Sequence, residues 1–169
     1  VRQDATALNG LLTGSSAIKG FGNTLANVLD GSQSSAANIL TGLQGNDTYI
    51  FGRNTDGGSI YTAITDVDGR DTIRFAADVN PTDISITCWD QDLYLTINDT
   101  GDTLQVTGWF ASDANKIENI QFGDGTVWNT SYIQTILTTP TEGDDTLVGT
   151  AGADVIDGRG GSDTIWGNA

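Results

Sequence analysis

The chain has 169 residues, 22 acidic and 7 basic, for a formal charge of −15. That is long enough for one ordinary domain or two small ones with a real core, and too acidic for a nucleic-acid surface or an anionic membrane. With no His and a single Cys, a Ser-His-Asp triad, an imidazole-held metal and an internal disulfide are excluded, which leaves oxygen-held calcium, magnesium or manganese.

The acids are 20 Asp and only two Glu, Glu118 and Glu142, beside 22 Gly and 2 Pro. Asp favours turns and oxygen-ligated metals where Glu favours helices, so the composition is turn-rich and all-β in character. There is no run of 18 apolar residues and no signal peptide, and Val1 is not a natural start, so the chain reads as an excised fragment.

Residues 20–53 carry a worn nine-residue pattern, G-x-x-G-x-D-x-U-x, where U is apolar. It is clearest in GLQGNDTYI, residues 42–50, with Asp47 in the acid column and Tyr49 at U. Asn38 with Leu40, and Asn27 with Leu29, fit the same template, and LTGSSAIKG before them looks like a further worn unit. The step from Asn27 to Asn38 is eleven, so GSQSSA carries two extra residues. Stacked amides hydrogen-bond to each other without a metal, the expected role of Asn27 and Asn38. Asp47 is kept as a candidate ligand, its partner one coil back being Asn27 or a displaced neighbour.

From 54 to 137 the period gives way to strand signals. ISITCW (84–89) and LYLTI (93–97) alternate around a turn at Asp90-Gln91-Asp92, TLQVTGWF follows at 103–110, and KIENIQF and TVWN flank a hairpin at Gly123-Asp124-Gly125. TSYIQTIL (130–137) suits a short helix capped by Asn129 or Thr130. Cys88 lies in an apolar stripe and is expected to be buried and inert. Asp66-Val67-Asp68-Gly69-Arg70-Asp71 fails as an EF-hand, since Gly falls fourth and no Glu follows twelfth. It is better read as a turn, although Gly69 to Ile73 echoes G-x-D-x-U.

The C-terminal residues 143–169 hold the pattern in strict register. Gly143, Gly152 and Gly161 are nine apart, as are Asp145, Asp154 and Asp163, then Leu147, Ile156 and Ile165, then Gly149, Gly158 and Gly167. These columns strongly resemble the repeats-in-toxin (RTX) nonapeptide G-G-x-G-x-D-x-U-x, a calcium-binding repeat. Thr150 and Arg159 replace its second glycine. DTIRF, GDTLQVTGWF and KIENIQFGDGTVW in the middle resemble the haemolysin-type calcium-binding related domain over roughly residues 66–137.

The resemblance implies parallel β-roll segments at 1–53 and 138–169, flanking a mostly antiparallel β-meander at 54–137 with at most one short helix. Two nonapeptides make a coil, with U pointing inward, so Asp145 and Asp163, 18 apart, stack on one side. Strands lie about 4.8 Å apart and calcium bonds oxygen at roughly 2.3–2.6 Å, so one ion would bridge both carboxylates. Carbonyls of the turns at Gly143, Gly149, Gly152, Gly158 and Gly161 would complete its shell. Asp154 would be half of an opposite site whose partner, residue 172, lies past the last residue.

The function this implies is a calcium-binding structural module of a secreted bacterial RTX-like protein, exported unfolded by type I secretion and folding outside the cell. Calcium ions and neighbouring repeat segments are the expected partners, without nucleic acid or membrane insertion. Because the sequence stops mid-repeat at Gly167-Asn168-Ala169, weak calcium-dependent self-association is also expected. No catalysis is expected, since no His can activate a nucleophile. The rival readings are a carbohydrate- or surface-binding adhesin module using Trp89, Trp109, Trp128 and Trp166, and a non-catalytic C-terminal part of a secreted hydrolase or lyase.

Overall fold

The computed structural model describes residues 9–54, 56, 58–150 and 152–167; Asn168 and Ala169, where the sequence stops mid-repeat, lie outside the described residues. The chain first winds as a flattened coil: β1 (Asn9–Gly14), β2 (Ile18–Phe21), β3 (Val28–Ser34), β4 (Asn38–Thr41), β5 (Thr48–Phe51), β6 (Tyr61–Thr65) and β7 (Thr72–Phe75). Odd strands pair in parallel in one sheet and even strands in the other. Short strands with alternating apolar residues suit this, because each buries one face against the opposite sheet. The apolar column stacks in register: Leu29 on Tyr49 on Ile73 from one side and Leu40 on Ile64 from the other, each at most 1% exposed.

The coil is longer than the eighteen residues that two nonapeptides give. Val28 pairs with Thr48 and Thr48 with Thr72, steps of 20 and 24. The turns entering the odd strands stay constant, at residues 22–27, 42–47 and 66–71. The extra residues lie elsewhere: GSQS is built into the seven-residue β3, and residues 52–60 make a long connection before β6.

The middle segment extends both sheets. β8 (Ile84–Trp89), β9 (Asp92–Ile97) and β10 (Thr103–Val106) form the antiparallel meander, and β10 joins β6 in parallel. β11 (Asn119–Gln121) pairs in parallel with β7 and antiparallel with β12 (Val127–Asn129). Each sheet thus has six strands and runs across residue 53 without interruption. The helix α1 (Thr130–Thr138) follows, with the Asn129 side chain accepting from the Tyr132 amide at 2.8 Å, and it buries Ile133 and Leu137, four residues apart on one face. Cys88 is buried, and burial pushes its thiol up to about 11.

β13 (Thr146–Val148) and β14 (Thr164–Trp166) form a separate two-stranded parallel sheet, Leu147 opposite Ile165. Here the expected apolar core is only partly realised. Leu147 is buried, but Ile156 is half-buried and Ile165 is 47% exposed. Ile165 sits on the outer of just two strands, with no described strand beyond it to cover its side chain. The nonapeptide between the strands, residues 152–160, forms a connection and no strand. The small sheet is anchored through Val148 in the main core and through Trp166, whose ring meets Trp89 edge-on at 5.6 Å.

Candidate metal centre

In the C-terminal roll the 18-residue spacing puts Asp145 and Asp163 on stacked turns. The Asp145 amide donates to Asp163 Oδ1 at 3.1 Å, and the Thr164 amide donates to the Asp145 carbonyl at 2.8 Å. The Asp145 carboxylate accepts from the Thr141 amide and hydroxyl. Asp154 repeats that local pattern with Thr150 at 2.8 and 3.0 Å, but it is exposed.

The glycine columns divide in their roles. A Cβ at Gly158 would lie 2.1 Å from Asp163 Oδ2, and one at Gly149 would lie 2.7 Å from Asp154 Oδ2, so each acid side chain folds over the glycine that opens its turn. Gly161 has φ +104° and its Cβ would fall 2.4 Å from the Gly143 carbonyl, so only glycine allows the two turns to stack there. Gly143 and Gly152 meet only ordinary contacts to Thr141 and Thr150.

The N-terminal roll carries the same ladder in a deeper form. The Asn27 amide donates to Asp47 Oδ1 at 2.7 Å, the Asp47 amide to Asp71 Oδ1 at 2.7 Å, and the Asp71 amide to Glu118 Oε2 at 2.7 Å. Each turn therefore offers a main-chain donor to the acid of the next. Asp47 lies between Asn27, one coil back, and Asp71, one coil on. The two asparagines have partners of their own: Asn27 Oδ1 accepts from the Asn23 amide at 2.6 Å, and Asn38 Oδ1 accepts from the Ser34 hydroxyl at 3.1 Å.

The second carboxylate oxygens of Asp47 and Asp71 are buried with no hydrogen-bond partner among the described residues, in residues each 1% exposed. Asp66 is buried beside them, and ligand oxygens of Asp47, Asp66 and Asp71 lie within 4.8 Å of one another. Two charges at that separation repel by about 3 kcal/mol at an effective dielectric of 20. Burial is the first cause of the shift in each of the three acids. Burial, with the charges of Asp66, Glu118 and Asp47, pushes Asp71 up to about 7. Burial pushes Asp66 up to about 6 although the Tyr49 hydroxyl donates to it at 2.5 Å, and burial also raises Asp47.

From the sequence, Asp66 stands only in a failed EF-hand pattern, Asp71 only in an echo of the repeat, and Glu118 in no motif. The signal was present: DVDGRD laid on GLQGND sets Asp71 under Asp47 and Asp66 under Gly42, 24 residues apart.

The donor set suits a hard cation: carboxylates with orphaned oxygens, glycine-formed hollows and no sulfur or imidazole. A parallel roll whose stacked turns converge acidic oxygens in this way defines a class of calcium-dependent repeat proteins. The RTX calcium-binding nonapeptide repeat (4 copies) matches residues 21–57 and 139–169, and the haemolysin-type calcium binding protein related domain matches residues 92–132. The chain thus carries RTX calcium-binding nonapeptide repeats in two blocks with the related domain between them, and repeats of this family bind Ca2+. No curated protein matches the chain.

Proposed function

We propose that the chain is a calcium-responsive structural module of a secreted protein, folding outside the cell as its turns fill with calcium. The observation that carries this reading is the ladder present in both rolls, which stacks Asp145 with Asp163 and Asp47 with Asp71. In this reading Asp145 and Asp163 share an ion, Asp154 supplies half of a site on the other side, and turn carbonyls complete the shells. Extracellular modules bind calcium at roughly 10⁻⁴–10⁻³ M, far above cytosolic calcium, so the turns stay open inside a cell and close outside it. Among the described residues, no helix is long and apolar enough to cross a membrane.

Sugar stacking on the tryptophans would rest on Trp89, which is 68% exposed. Trp109 and Trp128 are 2% and 6% exposed, and Trp166 is half-buried against Trp89.

Metal analysis of the purified chain, with circular dichroism before and after chelation, tests the reading. Bound calcium and a chelation-sensitive β signal are expected, with Asp163→Ala weakening uptake and Asn38→Ala leaving it unchanged. Absence of calcium, or equal losses in both variants, overturns it.

A further inference from the structure

Asp66 occupies a place that the other turns leave to glycine. The three constant turns open with Gly22, Gly42 and Asp66. A Cβ at Gly22 would sit 2.2 Å from Asn27 Oδ1, and one at Gly42 would sit 2.1 Å from Asp47 Oδ2 and 2.2 Å from the Tyr49 hydroxyl. In those turns the missing side chain makes room for the ladder residue. In the third turn a carboxylate stands at this position, 1% exposed, with Oδ1 taking the Val67 amide and Oδ2 taking the Tyr49 hydroxyl.

Those two hydrogen bonds leave the charge itself uncompensated, and its burial beside two other acids is unfavourable. None of Asp47, Asp66 and Asp71 takes part in a salt bridge among the described residues. A buried charge without a counter-charge is normally paired, neutralised or bound to a metal. Two oxygens, Asp47 Oδ2 and Asp71 Oδ2, are fully enclosed and have no donor among the described residues. Calcium, with ligand distances of roughly 2.3–2.6 Å, spans oxygens that lie within 4.8 Å of one another.

We propose that Asp47, Asp66 and Asp71 together hold a calcium ion at the seam where the N-terminal roll meets the middle strands, with Asp66 as the third carboxylate, in a site separate from the C-terminal turns. Asp66 and Asp71 both lie outside the segments that the repeat and the related domain match. The site also has a structural reach that a turn-to-turn ion lacks. The Asp71 amide donates to Glu118, and the Asn119 amide donates to the Asp71 carbonyl at 3.1 Å, so the turn carrying the ion also fixes the start of β11. An ion there clamps β5 and β7 of the roll to β11, the strand that the middle segment adds beside β7.

The proposal rests on the calcium-binding reading for the identity of the ion alone. Calorimetric titration of the full chain with calcium tests it, using Asp66→Gly, which restores the glycine of the two turns before it, with Asp163→Ala for comparison. One tight equivalent in the wild type is expected to weaken at least about tenfold in Asp66→Gly, as loss of one charged ligand does, and to persist in Asp163→Ala. Unchanged affinity and stoichiometry in Asp66→Gly overturn the site. Where circular dichroism shows Asp66→Gly unfolded, Asp66→Asn is read by the same criterion. A wild-type chain that takes up no calcium sinks the broader reading as well, whereas calcium uptake indifferent to Asp66 sinks this proposal alone.

Discussion

Leu43 and Arg159 each follow the glycine that opens their turn, and both take a left-handed backbone, with φ of 79° and 65°. This is the repeat's second-glycine column, and a side chain there costs roughly 1–2 kcal/mol. Glycine would give back part of that gain through its freer unfolded chain, about 0.5–1 kcal/mol. Arg159 is exposed, so trimming it loses little burial. Arg159→Gly is therefore expected to raise stability by about 0.5–1 kcal/mol in urea unfolding at constant calcium. Gly45→Ala should do the reverse, by about 1–3 kcal/mol, because Gly45 has φ +116° and its Cβ would fall 2.6 Å from the Leu25 carbonyl. A neutral Gly45→Ala would mean that the stacked turns yield more readily than their spacing implies.

Among the elements, Arg53 is the main electrostatic tie. It follows β5 and binds Asp83 at 2.7 Å, Asp78 at 3.4 Å and Asp99, so one cation gathers the loops around β8 and β9. The arginine is 16% exposed, but Asp78 and Asp99 are 62% and 65% exposed, so solvent screens much of the attraction. Arg53→Ala is expected to lower stability by about 1–2 kcal/mol, and Arg53→Lys to recover only part because an ammonium cannot reproduce the forked geometry. Urea unfolding measures both, and equal stability of Lys and Arg would show that charge alone matters.

Elements of this kind were legible where local pattern decides them. The alternation in ISITCW and LYLTI, the Asn129 cap and the hairpin before β12 are all visible in the sequence, because pleat and cap chemistry act over a few residues. The stacking of Asp71 on Asp47 was not legible. Residues 52–60 stretch that coil to 24 residues, and an insertion on one side of a roll erases a nine-residue period without moving the turns on the other. Asp66 was hidden for a related reason: it replaces a glycine, and a repeat template is read by its glycines. In the C-terminal roll the register was correct, yet Ile165 stayed exposed, since a period says which residues align and not how many layers cover them.

Across the whole molecule, the acid cluster sets how stability responds to pH. Asp66 and Asp71 are raised to about 6 and about 7 from an ordinary value of 3.8, with burial the first cause in both. A raised folded-state value means that the native chain holds protons that the unfolded chain releases. Their contribution is fully present at low pH and is lost as pH rises through the folded values. With calcium chelated, the thermal midpoint is expected to rise as pH falls from about 8 to about 5. With calcium present the trend should flatten or reverse, because protons then compete with the ion for the same oxygens. A chelated chain whose midpoint falls over that range would show that the cluster is relieved in some other way.

The constancy of the turns entering the odd strands, against the variable length of the opposite connections, divides the molecule into two margins with different tolerances. Along the first, each turn is gripped above and below by main-chain donors and by glycines with no room to spare, so one added residue would displace every acid stacked on it. Along the second, the chain has already absorbed a connection as long as residues 52–60 while keeping both sheets in register. Grafted sequence, whether an epitope, a fluorophore tag or a binding loop, therefore belongs on that second margin, where the protein can be lengthened without being retuned.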